Sequence, residues 1–176
     1  MNSQTPNFRV ATYNIHKGVQ GIGPARRLEI HNLGHASAAY FGFAHDPSLG
    51  FIWQTLESPK VAASVRKAMD QSAAALAKEY PDDLSSSDLA DHIADLLYRF
   101  RNKALGDTVF RVGQDLYRKL AKDDRLVGAM LRCVRHGLPC DGIADAVIAG
   151  MKFRAADEAG NLFKPDADFA AKEYAA

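Results

Sequence analysis

The pattern of hydrophobic and polar positions predicts helices over most of this chain. From about His31 onward, apolar residues recur every third or fourth position, as they do in helices that bury one face. Residues 32–44 are rich in alanine, glycine and aromatic residues, which favours a closely packed helix that ends before Pro47. Residues 155–176 are small and charged, and predict a loop with a weak terminal helix. Four further helices have a capping or acidic residue at their predicted starts, at Ser58, Ser85, Asp123 and Asp141.

The N-terminal segment has a different pattern. Residues 8–15 alternate branched or aromatic residues with small or polar ones, which is the period of a β-strand, and a glycine-rich run ending in Pro24 follows. The glycines spell GxxGxG rather than the GxGxxG of a dinucleotide-binding turn, so a loop is favoured and no helix is expected to start there. We expect an all-α, multi-helix domain over residues 31–157, preceded by a strand-like leader over 1–30 and followed by a tail over 158–176.

Composition and charge exclude several classes of protein. The chain has 176 residues, of which 47% are hydrophobic and 24% charged, as in one soluble globular domain. A net charge of +1 gives no overall attraction to nucleic acid or to an anionic membrane. No apolar run approaches the roughly 18 residues of a membrane span, and Cys133 and Cys140 form no CxxC pair. The first residues lack the apolar core of a signal peptide, so a cytoplasmic location is expected.

Asn32 and His35 are the first candidate functional residues. They lie three positions apart and therefore share one helix face, where an amide and an imidazole together can hold a reacting oxygen. The competing interpretation is that Asn32 caps the helix and His35 is a hydrogen-bonded core residue. His31 and His35 also have the spacing of a zinc pair, but neither an HExxH motif nor an evident third ligand accompanies them. No metal site is predicted.

A group of basic and amide side chains forms the second candidate. It occupies the middle of the helical region and comprises Arg99, Asn102, Arg111, Arg118 and Lys119. Such residues can line a pocket for an anion or a polyol, and they can equally be solvated surface charges.

An ordered series of motifs runs from residue 31 to about residue 157. It consists of His31-Asn-Leu-Gly-His-Ala36, Arg99-Phe-Arg-Asn102, Arg111-Val-Gly113, Leu116-Tyr-Arg-Lys-Leu120, Asp124-Arg-Leu126, Gly137-Leu-Pro139 and Met151-Lys-Phe-Arg154. In these motifs the chain resembles the C-terminal helical domain of the mannitol dehydrogenase family. The resemblance implies an all-α fold and the substrate-binding half of an NAD-dependent oxidoreductase that acts on mannitol, mannitol 1-phosphate or a related polyol, with no metal.

The resemblance also implies roles for individual residues. The catalytic pattern of the family looks like Lys-x4-Asn-x2-His, in which lysine takes the alcohol proton while asparagine and histidine position and polarise the oxygen. Asn32 and His35 match this pattern, and the lysine position falls on Arg27. An arginine, with a pKa above about 12, cannot act as a general base near neutral pH. If the domain retains the family's pocket, we expect the side chains of Asn32 and His35 to converge toward those of Arg99, Asn102 and Arg111. With Lys119, these three are the predicted residues for binding a polyol or polyol phosphate.

The cofactor implied by the resemblance is NAD, which family members hold in a Rossmann-like domain that precedes the helical one. Only 30 residues precede His31 here. We therefore expect this chain to be incomplete as an enzyme without a separate NAD-binding domain. A non-catalytic or vestigial helical binding domain is the alternative.

Residues 8–33 carry a second resemblance. The run Phe8-Arg-Val-Ala-Thr-Tyr-Asn-Ile-His-Lys-Gly18 is similar to the first strand of the endonuclease/exonuclease/phosphatase family of metal-dependent phosphoesterases, with Asn14 at the active-site asparagine. The family's later motifs LQE and Asp-x-Asn are missing, and so is its terminal Asp-His pair. Because the two resemblances overlap at residues 31–36, we interpret the chain as a fusion of two partial genes, and a phosphoesterase fragment is a second alternative.

Overall fold

The computed structural model describes the backbone of residues 24–173 and the side chains of residues 28–169. This part of the chain is built from helices, with one short 3-10 turn at Lys103–Leu105 and no strand longer than a single bridge. The α-helices are α1 Pro24–His45, α2 Ile52–Thr55, α3 Pro59–Glu79, α4 Ser86–Phe100, α5 Val109–Gly113, α6 Leu116–Lys119, α7 Val127–Arg135, α8 Asp141–Met151 and α9 Lys164–Glu173. The expected all-α fold is confirmed. None of these helices is both long and apolar enough to cross a membrane.

Helix α1 lies at the centre of the domain. It contacts α2, α3, α4, α5 and α8, and it buries small and large side chains all round rather than along one stripe. Two glycines allow its close approach to neighbours: a Cβ at Gly34 would meet the side chain of Met69, and a Cβ at Gly42 would overlap that of Thr55. The alanine-, glycine- and aromatic-rich composition of this segment therefore serves close packing on several sides.

The helices that surround α1 begin largely where the capping signals predict. Pro59 is the first residue of α3 and follows Ser58 as the N-cap, while Ser85 caps α4 by accepting a hydrogen bond from the Asp88 N–H at 3.0 Å. Helix α8 begins at Asp141 as predicted. These three starts are local events, since each depends on residues within one helical turn.

Two predicted boundaries are wrong. The first helix begins at Pro24 rather than at Asn32, because proline is well suited to the first helical position and the helix packs against the rest of the domain along its length. Helix α7 begins at Val127 rather than at Asp123, because turns occupy the residues between them. The predicted strand over residues 8–15 lies outside the described residues.

A pair of extended segments supports the region around residue 107. Phe51 and Thr108 form an isolated antiparallel bridge, in which Ile52 N–H donates to the Asp107 carbonyl and Val109 N–H donates to the Gly50 carbonyl, both at 2.9 Å. The Thr108 hydroxyl then caps α5 by accepting from the Arg111 N–H at 3.1 Å. The backbone of Asp107 is thereby held between α2 and α5.

Helix α9 packs against the short helix α6. The Asp166 carboxylate accepts hydrogen bonds from the backbone N–H groups of Asp115 and Leu116, at 2.9 and 2.7 Å. The ring of Phe169 lies edge-on to that of Tyr117, with 5.0 Å between the ring centres. Burial raises the pKa of Asp166, while the two N–H donors oppose that rise. The predicted weak terminal helix thus has a defined partner in the fold.

Candidate functional site

The candidate site is formed where α1 faces the end of α4 and the start of α5. Nε2 of His35 lies 3.1 Å from Oδ2 of Asp107, and Arg111 donates to the other oxygen of the same carboxylate. The His35 and Asp107 side chains each retain 19% of their surface, whereas that of Arg111 retains 59%. One carboxylate therefore connects an almost buried imidazole to a guanidinium that reaches solvent.

Phe100, at the end of α4, fixes the plane of the His35 ring. The two rings are stacked, with their centres 4.9 Å apart and an angle of 17° between planes. His31, one helical turn before His35, meets the same phenyl ring edge-on at 5.4 Å. Because Phe100 is buried in the core, the stacking limits how far the His35 ring can turn.

The His35 imidazole is neutral at physiological pH. Burial lowers its pKa to about 3, and the positive charges of His31, Arg111, Lys119 and Arg125 act in the same direction. A neutral imidazole has one N–H donor and one acceptor nitrogen, which is the form that can hydrogen-bond an alcohol or a ketone oxygen.

Nε2 of His35 has no aligned hydrogen-bond partner among the described residues, although Asp107 is within ion-pair distance. The carboxylate approaches the nitrogen away from the direction of a good hydrogen bond. The interpretation of His35 as a hydrogen-bonded core residue is therefore wrong for this nitrogen. A buried polar atom without an aligned partner is rare in proteins and calls for an explanation, of which a functional role is one.

Lys119 is the most unusual cation of the predicted group. It lies in α6 with 5% of its surface exposed, and its ammonium donates to the Val112 carbonyl at 2.5 Å. Burial lowers its pKa to about 8, and the charges of Arg125 and Arg118 add to the effect. Val112 belongs to α5, one residue after Arg111, so the hydrogen bond joins the element that carries Lys119 to the one that carries Arg111.

Asn32 lies in the interior of α1, so the interpretation of Asn32 as a helix cap is wrong. Its side-chain oxygen is 3.4 Å from Nδ1 of His31, and its side chain also lines a polar cleft of about 240 Å³. Glu29 and Arg132 line the same cleft, together with Arg125, which is paired with Asp124. Polar groups on several sides suit a small hydroxylated molecule better than an apolar one.

The remaining predicted residues have different environments. Arg99 lies 3.3 Å from Asp95 and is close enough for its charge to contribute to lowering the pKa of His31, for which burial is the main cause. The Asn102 side chain accepts from the Ala104 N–H at 3.0 Å, so it caps the 3-10 turn and is exposed. Arg27 lies in the first turn of α1, and its side chain is outside the described residues.

Three residues of this region were missed by the sequence analysis: Asp107, Phe100 and Arg125. Asp107 precedes Arg111 by four positions, which is the spacing of a helical ion pair and could have drawn attention to it. No sequence signal joins Asp107 or Phe100 to His35, because they belong to different elements. Arg125 belongs to Asp124-Arg-Leu126, one of the motifs that carry the family resemblance, but the sequence analysis assigned it no role.

The arrangement of potential metal ligands can be described for the same part of the chain. Within it, no group of three or more His, Cys, Asp or Glu side chains is arranged to hold a metal ion. Residues 8–18 and Asn14, which carried the phosphoesterase resemblance, lie outside that part, and residues 24–33 are helical.

A comparison with protein families identifies the domain. The family model of the mannitol dehydrogenase C-terminal domain matches residues 24–175, which begins with the first residue of α1 and includes every helix described above. The resemblance inferred from the ordered motifs is confirmed, and it now extends to α9. This chain therefore belongs to the mannitol dehydrogenase C-terminal domain family, and its helices form a polyol dehydrogenase domain.

Proposed function

We propose that this domain binds an open-chain polyol such as mannitol and holds the alcohol oxygen that an NAD-dependent dehydrogenase oxidises. The observation that carries the proposal is the cluster of His35, Asp107 and Arg111, in which a neutral imidazole with an unaligned Nε2 lies beside a partly exposed guanidinium. The motif residue Asn32 and the polar cleft on the same helix extend this surface. A polyol presents several hydroxyl groups and needs several such donors and acceptors.

Each side chain has a distinct part in the proposal. His35 donates to the reacting oxygen through Nε2, and Asn32 positions the oxygen through its amide. Arg111 and Lys119 donate to hydroxyl groups further along the chain of the polyol. Lys119 would exchange its hydrogen bond to the Val112 carbonyl for one to the ligand, or share it.

The charge pairing favours a neutral polyol over a polyol phosphate. Arg111 is neutralised by Asp107, and Arg118 lies against Asp115. A phosphate would have to compete with both carboxylates, whereas hydroxyl groups can join the existing pairs as additional acceptors and donors.

NAD does not fit the described residues on their own. A dinucleotide pyrophosphate is bound by a strand, a glycine-rich turn and a helix, and residues 24–173 contain no sheet. In the proposal NAD is therefore held by a separate domain, and no step of hydride transfer is assigned to the helices.

Arg27 favours a second candidate function, in which the domain binds a polyol but does not oxidise it. It occupies the lysine position of the family pattern, and a guanidinium remains protonated near neutral pH. Such a domain would retain the oxygen-binding residues and lack the group that takes the alcohol proton.

Binding of D-mannitol to the full chain tests the proposal. Titration of the ¹⁵N-labelled protein should give saturable shifts of amide signals in α1 and α5, and His35→Ala should weaken binding by about tenfold, the value of one hydrogen bond in a buried site. His45→Ala is the matched control, since His45 is an exposed histidine at the end of the same helix. Absence of saturable shifts, or equal affinity of the His35→Ala variant, would contradict the proposal. Mannitol 1-phosphate should bind no more tightly than mannitol.

A further inference from the structure

The Asp107 carboxylate contacts two side chains, one more than the carboxylate of a simple helical ion pair. One oxygen lies 3.1 Å from Nε2 of His35 in α1, and the other is paired with Arg111 four residues later. The pair Arg66 and Asp70 has the same four-residue spacing, but its two side chains are about half exposed and Asp70 is paired with Arg66 on its own helix. Asp107 therefore has a contact that an i, i+4 pair alone does not explain.

The contact sets the protonation of the His35 ring. An ionised carboxylate can only accept hydrogen bonds, so a ring nitrogen 3.1 Å away repels it unless that nitrogen carries a proton. The ring is neutral and has a single proton to place. The proton must then be on Nε2, and Nδ1 is left as the acceptor.

The same contact leaves the Nε2 proton without an aligned acceptor. The carboxylate is off the axis of a good hydrogen bond, and no other described group is aligned with this nitrogen. Nε2 is itself a buried atom, so a ligand oxygen can accept from it only after a neighbouring side chain has moved aside. Stacking on Phe100 keeps the ring plane in place meanwhile.

We propose that Asp107 is a positioning residue, which selects the Nε2–H tautomer of His35 and holds the Arg111 guanidinium beside it for a polyol. In this proposal Asp107 does not contact the ligand directly; it acts on the ligand through His35 and Arg111. The proposal rests on the proposed function for its polyol, but the selection of the tautomer does not depend on any ligand.

The fold allows the carboxylate to be removed without moving the chain. The Asp107 carbonyl accepts from the Ile52 N–H, and the neighbouring Thr108 hydroxyl caps α5. Neither bond uses the Asp107 side chain. Asp107→Ala should therefore keep the backbone of this region and lose only the two side-chain contacts.

Long-range ¹H–¹⁵N spectra of the histidine rings test the tautomer near neutral pH. The His35 signals are assigned by their loss in His35→Ala. In the wild type, Nε2 should have the shift of a protonated nitrogen and Nδ1 that of an unprotonated one. In Asp107→Ala the two shifts should move toward each other as the tautomers mix, while Asp70→Ala should leave them unchanged. A wild-type ring protonated on Nδ1, or unchanged shifts in Asp107→Ala, would overturn the proposal. If Asp107→Ala does not fold, Asp107→Leu, which has a similar size and no acceptor, gives the same test.

A second arm measures the consequence for the ligand. Asp107→Ala should raise the Kd for D-mannitol by about tenfold, because two donors lose their orientation. If mannitol binds the wild type and Asp107→Ala equally well, the positioning role is wrong and the polyol site stands. If mannitol binds neither, the proposed function fails, while the ring spectra still decide the role of Asp107 toward His35.

Discussion

Nε2 of His35 lies 3.1 Å from Oδ2 of Asp107, although the two residues belong to different elements of the fold. Helix α1 supplies the imidazole, and the bridged segment before α5 supplies the carboxylate. This contact joins the His35 of the Asn-x2-His motif to Arg111, a residue predicted to bind the substrate. The contact therefore brings the motif at residues 31–36 and the motif at residues 111–113 together at one site.

The first prediction concerns Arg27. Fused behind the NAD-binding domain of a mannitol dehydrogenase, the Arg27→Lys variant should turn over mannitol at least about 10²-fold faster than the parent sequence, which is the scale of general-base catalysis. Steady-state formation of NADH measures the rate. Arg66 is the control position, since Arg66→Lys exchanges the same functional groups at an exposed position of α3 and should have no effect. Equal rates for the parent fusion and its Arg27→Lys variant would show that this position supplies no base.

The second prediction concerns acid stability through Glu79. Its carboxylate oxygen is 3.2 Å from both Arg132 and His136, and Arg132 also contacts Glu29 at 2.8 Å. Burial tends to raise the pKa of Glu79, but hydrogen bonds from Tyr80 and His136 and the charges of Arg132 and Arg135 outweigh burial and lower it. Glu79→Gln should reduce the free energy of unfolding by roughly 1–3 kcal/mol near neutral pH.

The sign of the pH dependence follows from the lowered pKa. The stabilisation by Glu79 is complete above its unfolded pKa of about 4.3, and it is lost as the pH falls through the lower folded pKa. The difference in Tm between wild type and Glu79→Gln should therefore shrink in acid. Glu57→Gln, at an exposed glutamate, should show a difference in Tm near zero throughout. A difference that stays constant down to the acid transition would contradict this role for Glu79.

The third prediction concerns alkaline stability through Lys119. Burial lowers its pKa to about 8, so the charged form is less favourable in the folded than in the unfolded protein. As the pH rises from about 8 toward the unfolded pKa of about 10.4, the unfolded chain binds more protons than the native one, and wild-type stability should rise relative to Lys119→Met by roughly 1–3 kcal/mol. Denaturant unfolding at several pH values measures the difference. The exposed Lys60→Met control should show no such rise.

The fourth prediction concerns packing beside the site. A Cβ at Gly113 would overlap the ring of Phe153, which is buried between Tyr40 and Phe43 at 5.2 and 5.1 Å. Gly113→Ala should lower the free energy of unfolding by roughly 1–3 kcal/mol, because the ring has no free space to move into. Gly50→Ala, where a Cβ would meet only the end of Gln54 at 3.8 Å, should change it by less than about 0.5 kcal/mol. Thermal or urea unfolding of the two variants decides the matter, and equal stabilities would show that Phe153 relaxes freely.

Residues close together in the sequence determined the helical class and several of its boundaries. Ser85 marks a helix start through its capping hydrogen bond, Pro59 after Ser58 through its fit to the first helical position, and Asp141 as an acidic residue in the first turn. The ordered motifs, which include Asn32 and His35, were also sufficient to recognise the family that the comparison confirms.

Tertiary structure decided how those motifs are used. Asn102 caps the 3-10 turn and is exposed, which its position in the Arg99–Asn102 motif does not indicate. Lys119 is a buried cation rather than a surface one because α6 packs against neighbouring elements, and its exposure cannot be read from its sequence neighbours. The contact between Asp107 and His35 depends on the bridge of Phe51 with Thr108 and on the packing of α4 against α1. Local rules reach about one helical turn along the chain, whereas these contacts join residues that only the folded chain brings together.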